Sequence, residues 1–350
     1  MSQPFRVGVM QLTMEPLEEM LASARVMDEA GVDTIWLAEA YPWWRKHGME
    51  ARSSTVVSAL IARETEQLTV GWGIISPFTR HPVQVAMDAR VVQEAAGPDR
   101  FLLGFGTSKI FLNNARIATK KTLGPMREAV EIVRGVLGGE AFEYEGETFS
   151  ASVPALTPEA ESPRGVPPLY VAATAPKMQM LAGEIADGLL TPSITTPDYV
   201  RWTIGNVREA GRDPETIDIG CTVIASIHES DRDAGRDGAR EIGGMYLANK
   251  FQNIKGAADA LLESAEIEMD ELAPVAEAME RGGRLAAKEQ VTDALLDRCK
   301  PIAGTPEGCI AAIEEYREAG CTHVMLELWG ADRHEQIRLF GEKVLPYFRG

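Results

Sequence analysis

A chain of 350 residues has the length of two average domains, or of one (β/α)8 barrel, which uses it as a single unit. Its 35 Lys and Arg against 52 Asp and Glu leave a net charge of −17, which repels the polyanionic backbones of nucleic acids and anionic membrane surfaces. Hydrophobic residues make up 45% of it, enough for a large core, yet no stretch approaches the ~18 uninterrupted apolar residues that span a bilayer.

In chain order, residues 5–10 (FRVGVM) alternate and favour a strand. After Pro16, the apolar positions Leu17, Met20, Leu21, Ala24, Val26 and Met27 follow a helical period that stops at the Ala30-Gly31 capping signal. Residues 34–38 (TIWLA) are apolar almost throughout, as in a strand of a parallel sheet buried on both faces. The strand-then-helix unit recurs, with strands expected at 69–74, 101–105, 168–173, 187–191, 217–227 and 322–327. Helices are expected at 52–66, 82–96, 123–138, 176–186, 196–210, 305–319 and 332–348. Eight strands separated by helices is the count for an α/β fold of the (β/α)8 TIM-barrel type. A doubly wound open sheet would favour a glycine-rich fingerprint after the first strand, and Gly8-Val9-Met10-Gln11-Leu12-Thr13 is not one.

Two segments exceed a minimal barrel. Residues 139–167 read as a β-hairpin (GGEAFEYEGETFS) followed by a Pro- and Glu-rich loop, and 229–300 are helical, charged and alanine-rich. Insertions of this size usually sit at the C-terminal face of the strands, so 1–350 is expected to be a single barrel domain with lid segments there. Cys221, Cys299, Cys309 and Cys321 are dispersed, without CxxC spacing, and read as reduced, buried thiols of a cytoplasmic protein. The N-terminal MSQPFRVGVMQL lacks the pattern of a secretory leader. His47, His228, His323 and His334 stand alone, so no metal site is expected, and His81 reads as a packing residue at a helix start.

The chemistry begins at 71–82, GWGIISPFTRHP, which starts as a strand and ends at a helix start with Pro82 in the first turn. The glycines flanking Trp72 read either as backbone kept bare for a flat ligand or as a barrel corner before a capped helix. Two more segments stand in register with it, DRFLLGFGTS (99–108) and PLYVAATAPKMQMLAGEIADGLL (168–190), and WLAEAY (36–41) takes the place of a Trp-x-x-Asp-His pattern. On these motifs, which span the first six strands, the sequence resembles the bacterial luciferase-like superfamily. Within it, the sequence looks like the branch that uses the deazaflavin coenzyme F420, which includes methylenetetrahydromethanopterin reductase and F420-dependent glucose-6-phosphate dehydrogenase.

The resemblance implies a non-prolyl cis peptide ending the third strand, here Gly73–Ile74, behind the flavin-type ring. It also implies that Ile74, Ile75 and Ser76 line the ring and its polar edge, and that Gly106, Thr107 and Ser108 contact the ring and ribityl chain. Ala173, Thr174, Ala175 and Lys177 would receive a phosphate at a helix start, where amides and dipole favour anions. Arg45, Lys46, Arg80, Lys109 and Lys177 then form the positive footprint of an anionic cofactor tail; singly, each reads as a solvated surface cation.

The departures bear on mechanism. The family's Asp-His pair is here Glu39 and Ala40, so the histidine is gone. Lys109 stands where the glucose-6-phosphate dehydrogenases carry glutamate, which argues against sugar-phosphate oxidation by their mechanism. The acid/base candidates that remain are Glu39, Tyr41 and Lys109, whose pKa values desolvation beside a flat cofactor would shift towards neutrality. Glu39 reads equally well as a structural hydrogen-bond acceptor. Trp43, Trp44 and Trp72, with Trp36 and Tyr41 nearby, would wall an apolar substrate pocket or pack beneath a lid.

The resemblance therefore implies an oxidoreductase that moves a hydride between F420 and a small organic substrate. The alternatives are an FMN-dependent luciferase-type monooxygenase and, because of Ala40, a non-catalytic flavin- or deazaflavin-binding protein. The expected partners are a small-molecule substrate and a second copy of the chain, docked through the helices after strands two and three. Residues 54–61 are the candidate face, and neither nucleic acid nor membrane is expected.

Overall fold

The structure is a computed structural model that describes residues 4–39, 50–108, 112–113, 115–119, 121–155, 165–249, 259–329 and 332–349. Its strands are β1 (Arg6–Leu12), β2 (Thr34–Ala38), β3 (Thr69–Trp72), β4 (Phe101–Phe105), β5 (Phe142–Glu145), β6 (Ser150–Val153), β7 (Leu169–Ala172), β8 (Gly188–Leu190), β9 (Asp218–Ile227), β10 (Ile302–Gly304) and β11 (His323–Glu327). Eight of them pair in parallel in the order β1-β2-β3-β4-β7-β8-β9-β11, and β11 returns to β1 with Val324 beside Val7. The ring is therefore a closed eight-stranded barrel, and the open-sheet alternative is excluded.

Period-two alternation divides each strand between two cores. Val7, Val9, Ile35, Leu37, Val70, Leu103, Val171, Leu189, Val223, Val324 and Leu326 face outward into the layer beneath the helices. Met10, Trp36, Leu102, Tyr170, Leu190 and Met325 fill the interior. The Trp36 indole crosses that interior because Gly71 has no side chain, where a Cβ would lie 2.5 Å from the ring. Proline stands at the start of the helices Pro82–Ala96, Pro176–Ile185, Pro197–Glu209 and Pro306–Glu318, where its missing N–H costs no hydrogen bond.

The observed helices Ser54–Glu64, Pro82–Ala96 and Leu123–Gly138 lie where the periodicity places them. The last helix differs. It runs as Arg333–Leu339, a π-helical turn Phe340–Val344 and Leu345–Arg349, the wide turn preceding Pro346, which has no N–H for the ladder. The three-residue β10, too short to leave a pattern, extends the sheet beside the far end of β9, with Ile302 opposite Ala225.

The first insertion forms the hairpin β5–β6, which lies along the outer side of the helix Leu123–Gly138. The Glu128 carboxylate accepts the backbone N–H groups of Glu147, Thr148 and Phe149 at 3.0, 3.0 and 2.8 Å. The second insertion contributes the helices Arg232–Asn249, Asp259–Ser264, Ala273–Lys288 and Asp293–Arg298. These enclose a second apolar core that takes in Ile194, Ile224 and Trp329, and so stand at the C-terminal ends of β8, β9 and β11. Among the described residues no helix is long and apolar enough to cross a membrane, and no cluster of three or more His, Cys, Asp or Glu is arranged to hold a metal.

The opposite, N-terminal end of the barrel is closed by a polar network. Asp218 at the start of β9 accepts from Arg6, from the Tyr170 hydroxyl (2.6 Å) and from the Thr322 hydroxyl, and lies 3.4 Å from Nδ1 of His323. Nε2 of His323 is 2.7 Å from the Thr34 hydroxyl. Burial alone would raise the Asp218 pKa. The hydrogen bond and charge of His323, the Arg6 guanidinium and the Thr322 hydroxyl outweigh it and hold the carboxyl well below the usual carboxylate range. Because the folded value is depressed, the stabilisation is complete above the unfolded value of about 3.9 and fades as the pH falls from there. Asp218→Asn is expected to destabilise the fold at neutral pH by about 3 kcal/mol in urea unfolding, and to flatten the loss of stability that the wild type shows in acid.

Candidate active site

Inward-facing side chains change character at the C-terminal ends of the strands. Above the buried Met10, Trp36 and Leu190 stand Ala38, Ile74 and Ala172, which are only half-buried and so open at the barrel mouth. The backbone between β3 and its following helix is stitched to both neighbouring strands. Gly73 N–H donates to Leu37 (2.9 Å), Ile75 N–H to Gly104 (3.0 Å) and Gly106 N–H to Ile75 (3.0 Å). The Gly73–Ile74 peptide bond is cis. Gly106 lies directly against Ile74, where a Cβ would come within 2.6 Å of Cγ1, so this edge of the mouth stays free of a further side chain.

Around this floor lie polar groups. Thr107 and Ser108 follow β4 and are half-buried, with Ser108 at φ 42°. Ser76 is buried and accepts the Phe78 N–H at 3.4 Å. Thr174 is half-buried and its carbonyl accepts the Tyr199 hydroxyl at 2.7 Å. Ala175 caps the helix Pro176–Ile185 without a side-chain hydrogen bond, and Lys177 is exposed in its first turn.

Several expectations are corrected by side-chain direction. Trp72 is not a pocket wall: its indole is wholly buried among the outer helices, donating Nε1–H to the Ser58 hydroxyl at 2.9 Å and standing edge-on to Phe101. The Ile75 and Ala173 side chains likewise belong to the outer layer, so only their backbone borders the mouth. Gly71 and Gly73 lie against the Trp36 side chain, to which added Cβ atoms would approach within 2.5 and 3.1 Å. Tyr41, Trp43, Trp44 and Lys109, with Arg45 and Lys46, lie outside the described residues.

Glu39 sits at the mouth but is not a free acid or base. Its two oxygens each accept from the Arg80 guanidinium at 2.8 Å, and Oε1 also faces the Ser54 N–H at 3.3 Å. This bidentate pair ties the end of β2 to the turn before the helix Pro82–Ala96 and to the start of the helix Ser54–Glu64. It also engages Arg80, which the cofactor-tail reading had left free.

One group was missed. Glu327, the last residue of β11, is 1% exposed and wholly enclosed. Burial raises its pKa to about 8, against the opposing hydrogen bond of the Ser193 hydroxyl, and Oε2 has no hydrogen-bond partner among the described residues. The available signal was an acidic residue at an inward position of the apolar run HVMLELW, where the alternation calls for an apolar one.

Residues 1–323 match the sequence model of the luciferase-like monooxygenase family. The chain is 26% identical over 346 residues to a 5,10-methylenetetrahydromethanopterin reductase of Methanolobus tindarius, covering 97% of this chain and 99% of that protein. It is 24% identical to an F420-dependent glucose-6-phosphate dehydrogenase of Nakamurella multipartita, covering 95% and 92%. Among solved structures, the coenzyme F420-dependent tetrahydromethanopterin reductase from Methanopyrus kandleri superposes with a TM-score of 0.84 at 23% identity, over 99% of both chains.

If Glu39 is a strut, Glu39→Gln should lower the unfolding free energy of the cofactor-free protein by about 1–2 kcal/mol, read from urea titrations. An unchanged value would remove the strut role.

Proposed function

The chain belongs to the luciferase-like monooxygenase family, and from that premise we propose that it is an oxidoreductase transferring a hydride between coenzyme F420 and a small organic substrate. The observation that carries the reading is the full-length likeness to two groups of proteins that differ in substrate, a tetrahydromethanopterin reductase and glucose-6-phosphate dehydrogenases, yet share F420. What differs between them is the substrate; what is common is the cofactor.

The residues of the mouth fit such a group. Ala38, Ile74 and Ala172 give a low apolar floor for a flat ring, bordered by the bare edge at Gly106 and by the hydroxyls of Thr107, Ser108 and Thr174. The start of the helix Pro176–Ile185, with Lys177 in its first turn, suits an anionic tail because backbone N–H groups and the helix dipole both favour negative charge. When bound, F420 supplies a two-electron hydride at its C5. The chain's own work is to hold the ring against Ile74, to keep water from it with the helical insertion beside β8, β9 and β11, and to set a substrate carbon within reach. Tyr41, Trp43, Trp44 and Lys109 remain candidates for the substrate side of the site.

A second copy of the chain is the proposed partner. The helices Ser54–Glu64 and Pro82–Ala96 pack side by side and expose Val56, Leu60, Met87 and Val91, a contiguous apolar strip with i,i+4 spacing on each helix. Four free, buried cysteines accord with the reducing cytoplasm, where we place the protein.

Fluorescence titration of the cofactor-free protein with F420 and with FMN tests the reading. Tight F420 and weak FMN binding supports it, whereas the reverse preference makes the protein a flavin monooxygenase. F420 binding without turnover of any alcohol, carbonyl or enone in a broad panel favours a binding protein instead. For the partner, Val56→Lys with Met87→Lys is expected to convert a dimer to a monomer in light scattering; a monomeric wild type would end that proposal.

A further inference from the structure

We propose that Glu327 is the proton-exchanging group of this site: a carboxylic acid that gives a proton to, or takes one from, the substrate atom next to the carbon that exchanges hydride. The inference rests on the hydride-transfer reading above.

The alternation of β11 places His323, Met325 and Glu327 on one face. His323 contacts Trp36 and Thr34, and Met325 belongs to the interior cluster, so Glu327 is the inward residue at the C-terminal end of the strand. Barrel enzymes carry their reacting groups at this position. Two other enclosed carboxyls, Glu39 and Glu128, have donors on both oxygens. Glu39 has two guanidinium bonds and Glu128 has three backbone N–H donors. Glu327 has the Ser193 hydroxyl, and its Oε2 has no partner among the described residues. A buried polar atom left in that state calls for a functional explanation.

The loop that brings Ser193 to it is held in an uncommon shape. Ile194 has φ 67°, a left-handed conformation that a β-branched residue adopts only where its surroundings impose it. Those surroundings are present. Thr195 bonds the Pro192 carbonyl at 2.6 Å, the Tyr316 hydroxyl meets the Thr195 carbonyl at 2.7 Å, and the Thr196 hydroxyl meets Ser264 at 2.9 Å. Across the ladder Glu327 faces the apolar Ile224 of β9, and among the described residues no charged group contributes to its titration. Burial thus leaves the acid protonated at neutral pH and poised close to it, as a general acid or base requires.

The exchange balances. As the hydride supplied by the reduced deazaflavin reaches the carbon of a C=O, C=N or activated C=C bond, a new C–H bond forms and the π pair moves to the far atom. The O–H bond of Glu327 breaks, that atom takes the proton, and the carboxylate is reprotonated from solvent. Oxidation of the product runs the same transfers backwards. The reading therefore selects substrates whose far atom must gain or lose a proton, and it supplies the acid/base that Ala40 cannot.

Infrared titration of the cofactor-free wild type decides the matter without turnover. We expect a carboxylic C=O band that persists at neutral pH, exchanges readily in D2O, disappears as the pH rises through about 8 and is missing from Glu327→Gln. Ser193→Ala should move that midpoint to higher pH, because a hydrogen bond to the charged form is lost. Adding F420, with binding followed by fluorescence, should displace the band. With reduced F420 and acetone or 2-cyclohexenone as probes, Glu327→Gln should turn over about 10²-fold or more slowly at unchanged F420 affinity. Absence of the band at neutral pH, or a band that neither exchanges nor responds to bound F420, overturns the proposal. A band that titrates and exchanges as expected while F420 fails to bind upholds Glu327 and overturns the cofactor reading instead. Should Glu327→Gln not fold, the wild-type and Ser193→Ala spectra still decide.

Discussion

A single buried carboxylate organises the closed end of this barrel. Asp218 of β9 gathers Arg6 of β1, Tyr170 of β7 and His323 of β11, and His323 reaches Thr34 of β2. Five of the eight barrel strands are thereby registered by one cluster. A slip of one residue in any of them would swap its inward and outward side chains and break the cluster. Burying these groups is costly unless every partner is in place, so the network selects one register more than it adds stability. Above it, Trp36 and Tyr170 meet edge-to-face with centroids 5.0 Å apart and fill the interior.

Three enclosed carboxyls show how environment divides labour among residues of one type. Glu128 accepts three backbone N–H groups and fastens a hairpin; Glu39 accepts two guanidinium bonds and fastens a strand end. Both have donors on each oxygen. Glu327 has one hydroxyl and otherwise apolar enclosure, so its neutral form is favoured. Proximity to the mouth therefore does not identify an acid/base. Glu39, just past the end of β2, is saturated, whereas Glu327, at the end of β11, is unsaturated.

The barrel was legible in the sequence because its signals are local. Apolar strand runs, helical periods, first-turn prolines and capping glycines each act over a few residues, and the eight strands and most helices lie where those patterns place them. The bulge at Gly73–Ile74 was reachable only through resemblance, since no local pattern announces it. What failed was direction at strand ends. Trp72, Ile75 and Ala173 stand in the motifs the resemblance singled out, yet alternation turns their side chains into the outer layer. Pairings across the chain were equally invisible: Glu39 and Arg80 are 41 residues apart and meet only because β2 and β3 are neighbours. β10, three residues long, left no periodic trace.

Charge placement follows from the same division. The chain carries an excess of acid, yet among the described residues Ala38, Ile74, Ala172, Thr107, Ser108 and Thr174 at the mouth are apolar or hydroxylic, and Glu327 at the end of β11 is held neutral by burial. An ionised carboxylate in that position would repel an anionic cofactor through a medium of low dielectric, where the interaction is far stronger than in water. Keeping Glu327 protonated removes that repulsion and makes its proton available in the same step. Asp218, by contrast, keeps its negative charge fully paired at the opposite end of the barrel, where it cannot oppose the ligand. Protonation at Glu327 and ion pairing at Asp218 are thus two solutions to one constraint, burial of acid in a closed barrel, and each leaves the strand ends open to an anion.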